Sequence, residues 1–251
     1  MAGLLQAAHE REGSGGKRLA LIALASAVIS TALGFAIGNR WALPILNVLF
    51  IYPFYIRLIA GGKRRQAVAL ALLWAIFISE AVILGTCVFP KRAEAVTLRG
   101  TEYRDEMFSW VATGEGKEST PSQFIPEHVM HFGIFCVLAA ATGGAGALLM
   151  GAALLNYMNF YVGALVLEAS HPALTLILGW QPYAVIRVVA YILVATVLAE
   201  VFLGVARRRP PAWRRLKPYA IAGVSGVIVD IMVKSGVAPL WSRALKWTSG
   251  L

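Results

Sequence analysis

An all-α, polytopic transmembrane bundle of about seven spans is the fold class this sequence predicts, on three observations. Runs of about twenty apolar residues recur along the chain, each long enough to cross ~30 Å of hydrocarbon as a helix. Hydrophobic residues make up 58% of the 251 residues and charged ones only 14%, against the ~25% charged of an ordinary soluble domain. The Lys and Arg residues sit in short clusters at the ends of those runs.

The first span is read over 18–38, after Lys17 and Arg18. The second covers 41–60 and holds Pro44 and Pro53, which remove backbone donors and are expected to kink or break it. The third covers 67–89. A charged, turn-rich loop follows over 90–127, with a short interfacial helix expected at 102–112. The fourth span is read over 128–150, the fifth over 154–170, the sixth over 183–205 and the seventh over 218–240. Segments two and five are the weakest, so six or eight spans are the alternatives. Residues 1–17 read as a polar tail rather than a cleavable signal, and 241–251 as an amphipathic tail lying flat at the interface.

The formal net charge of +10 raises the question of nucleic acid, but there is no aromatic-interleaved basic patch on a soluble domain. The positive-inside bias explains the clusters instead, with membrane lipids as the partner. Lys63–Arg65 and Arg207–Lys217 fall on the same side as the N-terminus. That places the N-terminus in the cytoplasm and loop 90–127 outside the cell (inner) membrane. The cysteines, Cys87 and Cys136, lie in apolar segments and have no metal-type spacing.

A weak repeat suggests a division into three helices, a linker helix and three more. The units are 18–89, the linker 128–152, and 153–240. Glu80 lies 15 residues after Arg65, and Asp230 lies 13 after Lys217. Counted from the expected helix starts at 67 and 218, both acids fall roughly 18–20 Å in at the helical rise per residue. Two carboxylates at one depth are a candidate proton-coupling or general-acid pair. The competing reading is separate structural contacts, with Asp230 and Lys234 one turn apart as the obvious local pair. Ionisable residues inside a span mark function or helix pairing.

A second set, Glu127, His128, His131, Glu168, His171 and Arg187, gathers toward the loop face. Arg187, Lys234, Glu168, His171 and His131 are candidate substrate-binding residues. Glu127, His128 and His131 are weak metal candidates, because imidazole and carboxylate suit zinc or iron but EHVMH is not a zincin order. No cofactor is named by any motif. In the fourth segment Gly143, Ala147 and Gly151 form a small-residue stripe, read as a close helix contact within the chain, with a second copy, or with a partner subunit.

The run Asp230–Lys234 resembles the retinal-binding helix of microbial rhodopsins, which implies a Schiff-base Lys234 with Asp230 in its counterion. The likeness covers that one helix. The sixth segment lacks the aromatic pattern expected around retinal, and the third lacks the Arg and Asp-Trp signature.

Three functions follow from these features. A small secondary transporter working through Glu80 and Asp230 ranks first. A membrane-embedded enzyme acting on a lipid or isoprenoid is the alternative, by acid catalysis or through the Glu/His set acting on a headgroup. A non-catalytic subunit of a membrane complex is the third.

Overall fold

A computed structural model describes the backbone of residues 2–251 and the side chains of residues 15–251. It is an all-α bundle with no strand among the described residues. The helices are α1 (Ala2–Ile37), α2 (Ala42–Ala60), α3 (Arg64–Val88), α4 (Pro90–Val96), α5 (Gly100–Thr113), α6 (Pro121–Thr142), α7 (Ala145–Glu168), α8 (Pro172–Gly179), α9 (Pro182–Ala206) and α10 (Trp213–Ser249). A 3-10 turn, Lys117–Ser119, joins α5 to α6. Seven helices are long and apolar enough to cross a bilayer, α1 from Gly15 onward and α2, α3, α6, α7, α9 and α10. The chain is an integral, multi-pass membrane protein.

Two ends of the bundle can be named by composition. The basic end carries Lys17, Lys63–Arg65 and the α9–α10 turn. The loop end carries α4, α5 and the 3-10 turn. Of the expected 1–17 tail, the side chains of residues 1–14, His9 included, fall outside the described residues.

Several boundaries differ from the sequence reading, each for a physical reason. The expected fourth span, 128–150, is cut in two. Gly143 and Gly144 take left-handed backbone (φ 62° and 92°), and the chain reverses there. The spans are therefore 121–142 and 145–168, and Gly143 belongs to a turn rather than to a helix-packing stripe. Only glycine enters that conformation freely, and a Cβ on Gly144 would stand 3.2 Å from Ala199 and 3.3 Å from Tyr55. Helix α6 begins seven residues early because Pro121 suits a first helical position. The tail expected to lie at the interface instead continues α10, burying Ser242, Leu245 and Thr248. Neither proline breaks α2. Pro44 lies in its first turn, and Pro53 is accommodated inside a continuous helix. The two cysteines are free.

Helices α1, α2 and α3 form one group, and α7 packs on α3, α2, α6 and α5. Helix α9 pairs with α10, where Gly223 and Gly226 let the backbones approach Ala190 and Val194. Buried amides join the groups, as hydrogen bonds do between helices in lipid. Asn156 donates to Asn47 at 3.0 Å and Asn47 to Ser30 at 2.8 Å, while Asn159 donates to Ser79 at 2.8 Å. At the basic end Arg64 grips Glu200 bidentately and fixes α3 to α9.

Candidate functional site

A cavity of about 140 Å³ runs between α3, α6, α7 and α9, with α5, the 3-10 turn and Lys234 of α10 at its loop end. That is room for roughly ten waters. Its lining changes character along its length. Toward the loop end it is charged, with Arg99, Glu118, Glu127, His128, Arg187 and Lys234. Toward the basic end it is apolar, with Trp74, Phe135, Leu148, Leu155, Ile192 and Ala195. The α9 lining residues from Ala184 to Ala195 alone span about 16 Å along the helix axis.

Each polar side chain reaches the cavity for a local reason. Pro182 starts α9, so Arg187 falls about one and a half turns in. Pro121 starts α6, which carries Phe124, Glu127, His128 and His131 on neighbouring turns of one face. Asp230 and Lys234 lie one turn apart on α10, facing α9 and α6. The Asp230 carboxylate accepts two bonds from Arg187, Nε at 2.8 Å and Nη2 at 3.1 Å. This fork satisfies both oxygens of an acid with no exposed surface. His128 Nε2 stands 3.9 Å from the same carboxylate, beyond hydrogen-bond range. Both nitrogens of its ring are buried with no hydrogen-bond partner among the described residues. The ring is held edge-on by Phe124, with centroids 5.4 Å apart.

Lys234 is 1% exposed. Its ammonium donates to Glu118 at 2.8 Å and lies 4.6 Å from the centre of the Phe124 ring and 5.6 Å from that of Tyr183. Glu118 comes from the 3-10 turn, so a loop segment supplies the counter-charge for a cation on a spanning helix. Around it Tyr103 of α5 packs on Tyr157 at 4.5 Å and Tyr161 at 6.0 Å. Burial pushes the Tyr103 phenol well above its ordinary range, so it stays protonated. At the rim Lys117 and Glu106 approach to 3.6 Å. Arg99 has no carboxylate within 4.0 Å among the described residues, and its backbone is left-handed (φ 57°). Strained non-glycine residues of this kind concentrate at functional sites.

Of the residues singled out in the sequence, Asp230, Arg187, Lys234, Glu127, His128 and His131 come together here. Glu80, Glu168 and His171 do not. Glu80 is exposed on the outer face of α3, so it does not meet Asp230. Asp230 is paired with Arg187 rather than with Glu80 or Lys234. Glu168 and His171 are exposed at the loop end, where His171 stacks on Trp247 at 5.4 Å. Among the described residues no three His, Cys, Asp or Glu converge to hold a metal ion, so Glu127, His128 and His131 do not form such a group. The partners the sequence reading missed are Glu118, Arg99 and Tyr103, all in the loop.

Beneath the cavity side chains bridge the helices. Tyr55 and Thr196 share a hydrogen bond of 3.0 Å, and Tyr52 donates to the carbonyl of Gly143 at 3.3 Å. These residues and the Arg64–Glu200 pair lie below the last cavity residues on α9. The fold and site define a seven-span membrane protein with an amphipathic cavity. No family model, no curated protein and no solved structure matches the chain.

Proposed function

We propose that this protein is a membrane-embedded enzyme that takes a lipid-like amphiphile into its cavity and hydrolyses an ester of the headgroup. One observation carries this reading: a single cavity is charged at its loop end and apolar along its inner length. That is the shape and polarity of an amphiphile held with its head near the loop end. Pockets that bind small molecules have this build, mostly apolar with a few convergent polar groups.

His128 is the candidate general base. Its ring nitrogens are unengaged, and it stands where head and tail of such a molecule would meet. It would take a proton from water, and the resulting hydroxide would add at the ester centre. The departing alcohol would then receive the proton from His128, so that ester and water yield acid and alcohol. Arg187 and Lys234 stabilise negative charge on the reacting group. Asp230 fixes the Arg187 guanidinium by accepting two of its bonds, which orients it toward the cavity.

The transport reading needs a path to both faces and a second mid-membrane carboxylate. The side chains that bridge the helices beneath the cavity and the outward-facing Glu80 weigh against it. The basic clusters support a cytoplasmic basic end, with the charged mouth on the extracytoplasmic side.

The test is product formation by purified protein in detergent, where no gradient exists. Single-chain lipids bearing phosphate-ester and acyl-ester heads are supplied, and products are read by mass spectrometry. We expect headgroup cleavage that falls at least about a hundredfold in His128→Ala and is unchanged in Glu80→Gln. Intact lipid in detergent, together with gradient-dependent uptake into vesicles, would replace the enzyme with a carrier.

A further inference from the structure

The ion pair between Lys234 and Glu118 carries an inference about which amphiphile fits, one that rests on the cavity reading above. We propose that Lys234 selects an anionic, phosphate-type headgroup on a single alkyl chain, and that this headgroup displaces the Glu118 carboxylate.

The two cations that line the inner part of the charged end are held differently. Arg187 is satisfied by Asp230, from a neighbouring spanning helix. Lys234 has only Glu118 within 4.0 Å among the described residues, at 2.8 Å. Glu118 is not part of the bundle. It sits in the three-residue turn Lys117–Ser119, entered through Gly116 at φ 134° and only two residues beyond Gly114 at φ 76°. Glycine hinges of this kind absorb backbone change at low cost. The side chains that otherwise tie the turn are Ser119, which accepts from Trp110 Nε1 at 2.7 Å, and Lys117, which pairs with Glu106 at 3.6 Å near the rim.

A molecule whose head reaches Lys234 must take the place of Glu118. If that head is neutral, a desolvated ammonium loses its counter-charge, which is the costly way to break a buried pair. If the head is an anion, one negative group replaces another and the ammonium stays paired. The surrounding donors favour several acceptor oxygens over one. Lys234 has three N–H groups. The Nη1 group of Arg187 is not engaged by Asp230. Arg99 stands at the rim with no carboxylate in reach. A phosphate offers oxygens to all three.

The apolar arm limits the tail. A methylene takes roughly the space of a water, so about 140 Å³, charged mouth included, holds at most one chain of about ten carbons and not two tails. Trp74 lines that arm and reports on its occupancy.

The experiment uses the full chain in nanodiscs of zwitterionic phospholipid. Quenching by 10-bromodecyl phosphate is measured against quenching by 10-bromodecanol, and the Trp74→Phe signal is subtracted to isolate the cavity. We expect the phosphate probe to quench Trp74 at lower concentration than the alcohol. Glu118→Gln, which frees Lys234, should tighten the phosphate probe severalfold. Lys234→Gln should weaken it by roughly tenfold and leave the alcohol unchanged. Opposite signs for the two variants separate selection from misfolding, which would weaken both. Equal quenching by both probes in all variants, or weakening by Glu118→Gln, overturns the role of the pair while the cavity still takes a chain. Displacement of the probe by inorganic phosphate as effectively as by decyl phosphate overturns the amphiphile class, because the head alone would then suffice. If no probe quenches Trp74 in any variant, the lipid-cavity reading itself fails.

Discussion

Removing the Asp230 carboxylate would leave the Arg187 guanidinium in the cavity wall without its fork. Loss of one partner from a desolvated pair costs about 3 kcal/mol, and Arg187 keeps enough access to the mouth to hold the figure at that lower end. Asp230→Asn should therefore lower the thermal midpoint in detergent by roughly 6 °C or more. The double variant with Arg187→Gln should lose less than the sum of the single losses, since removing both charges leaves neither unpaired. Strict additivity would mean that the two side chains do not depend on each other. Glu80 gives the contrast. It is exposed on α3 with no hydrogen-bond partner among the described residues. Glu80→Gln should leave stability within about 0.5 kcal/mol. A large loss would place a partner on that face. The loop partners of the site have a signal in the sequence that counting would have found. A lysine on a spanning helix needs an anion. With Asp230 committed to Arg187, the remaining supply of acids near the loop face is the 90–127 segment itself.

At the scale of elements, the joint between α6 and α7 decides where the cavity ends. Gly143 and Gly144 turn the chain within two residues, and the turn packs on Tyr55, Ala199 and Phe202. Gly144→Ala forces a side chain into left-handed backbone and against Ala199, for an expected loss of about 2 kcal/mol. The same change in Gly151, where a Cβ meets nothing within 4 Å, should be close to neutral. Chemical denaturation of the two variants side by side makes the comparison, and equal losses would remove the turn as the cause. The run of small and apolar residues through 128–150 hid this joint, because periodicity alone cannot separate one long helix from two joined by a glycine pair. The α10 tail was misplaced for a related reason. Its polar residues Ser242, Thr248 and Ser249 look interfacial, yet they are buried by α8 and the loop end.

For the whole molecule, three spanning helices separate the loop at Glu115 from the basic turn at Arg208, namely α6, α7 and α9. An odd number puts these two sites on opposite faces. Glu115→Cys should react with an impermeant thiol reagent added outside spheroplasts, and Arg208→Cys only after lysis, each in a Cys87→Ser/Cys136→Ser background. Labelling of both from one side would break the span count. The reversed pattern would keep the fold and invert the orientation that the Lys and Arg clusters predict.

The fold class and the spans were determined by the sequence itself, because crossing hydrocarbon demands long apolar helices and leaves little freedom in composition. Depth along a helix was equally legible, since the rise per residue is fixed. That is why Arg187, His128 and His131 could be named in advance as facing one end. Which charged groups meet is a different quantity. It depends on rotation of each helix about its axis and on the path of the loop, and those are set by packing among distant segments. Only the tertiary structure turned Glu80 outward, gave Asp230 to Arg187, and brought Glu118 from the loop onto Lys234.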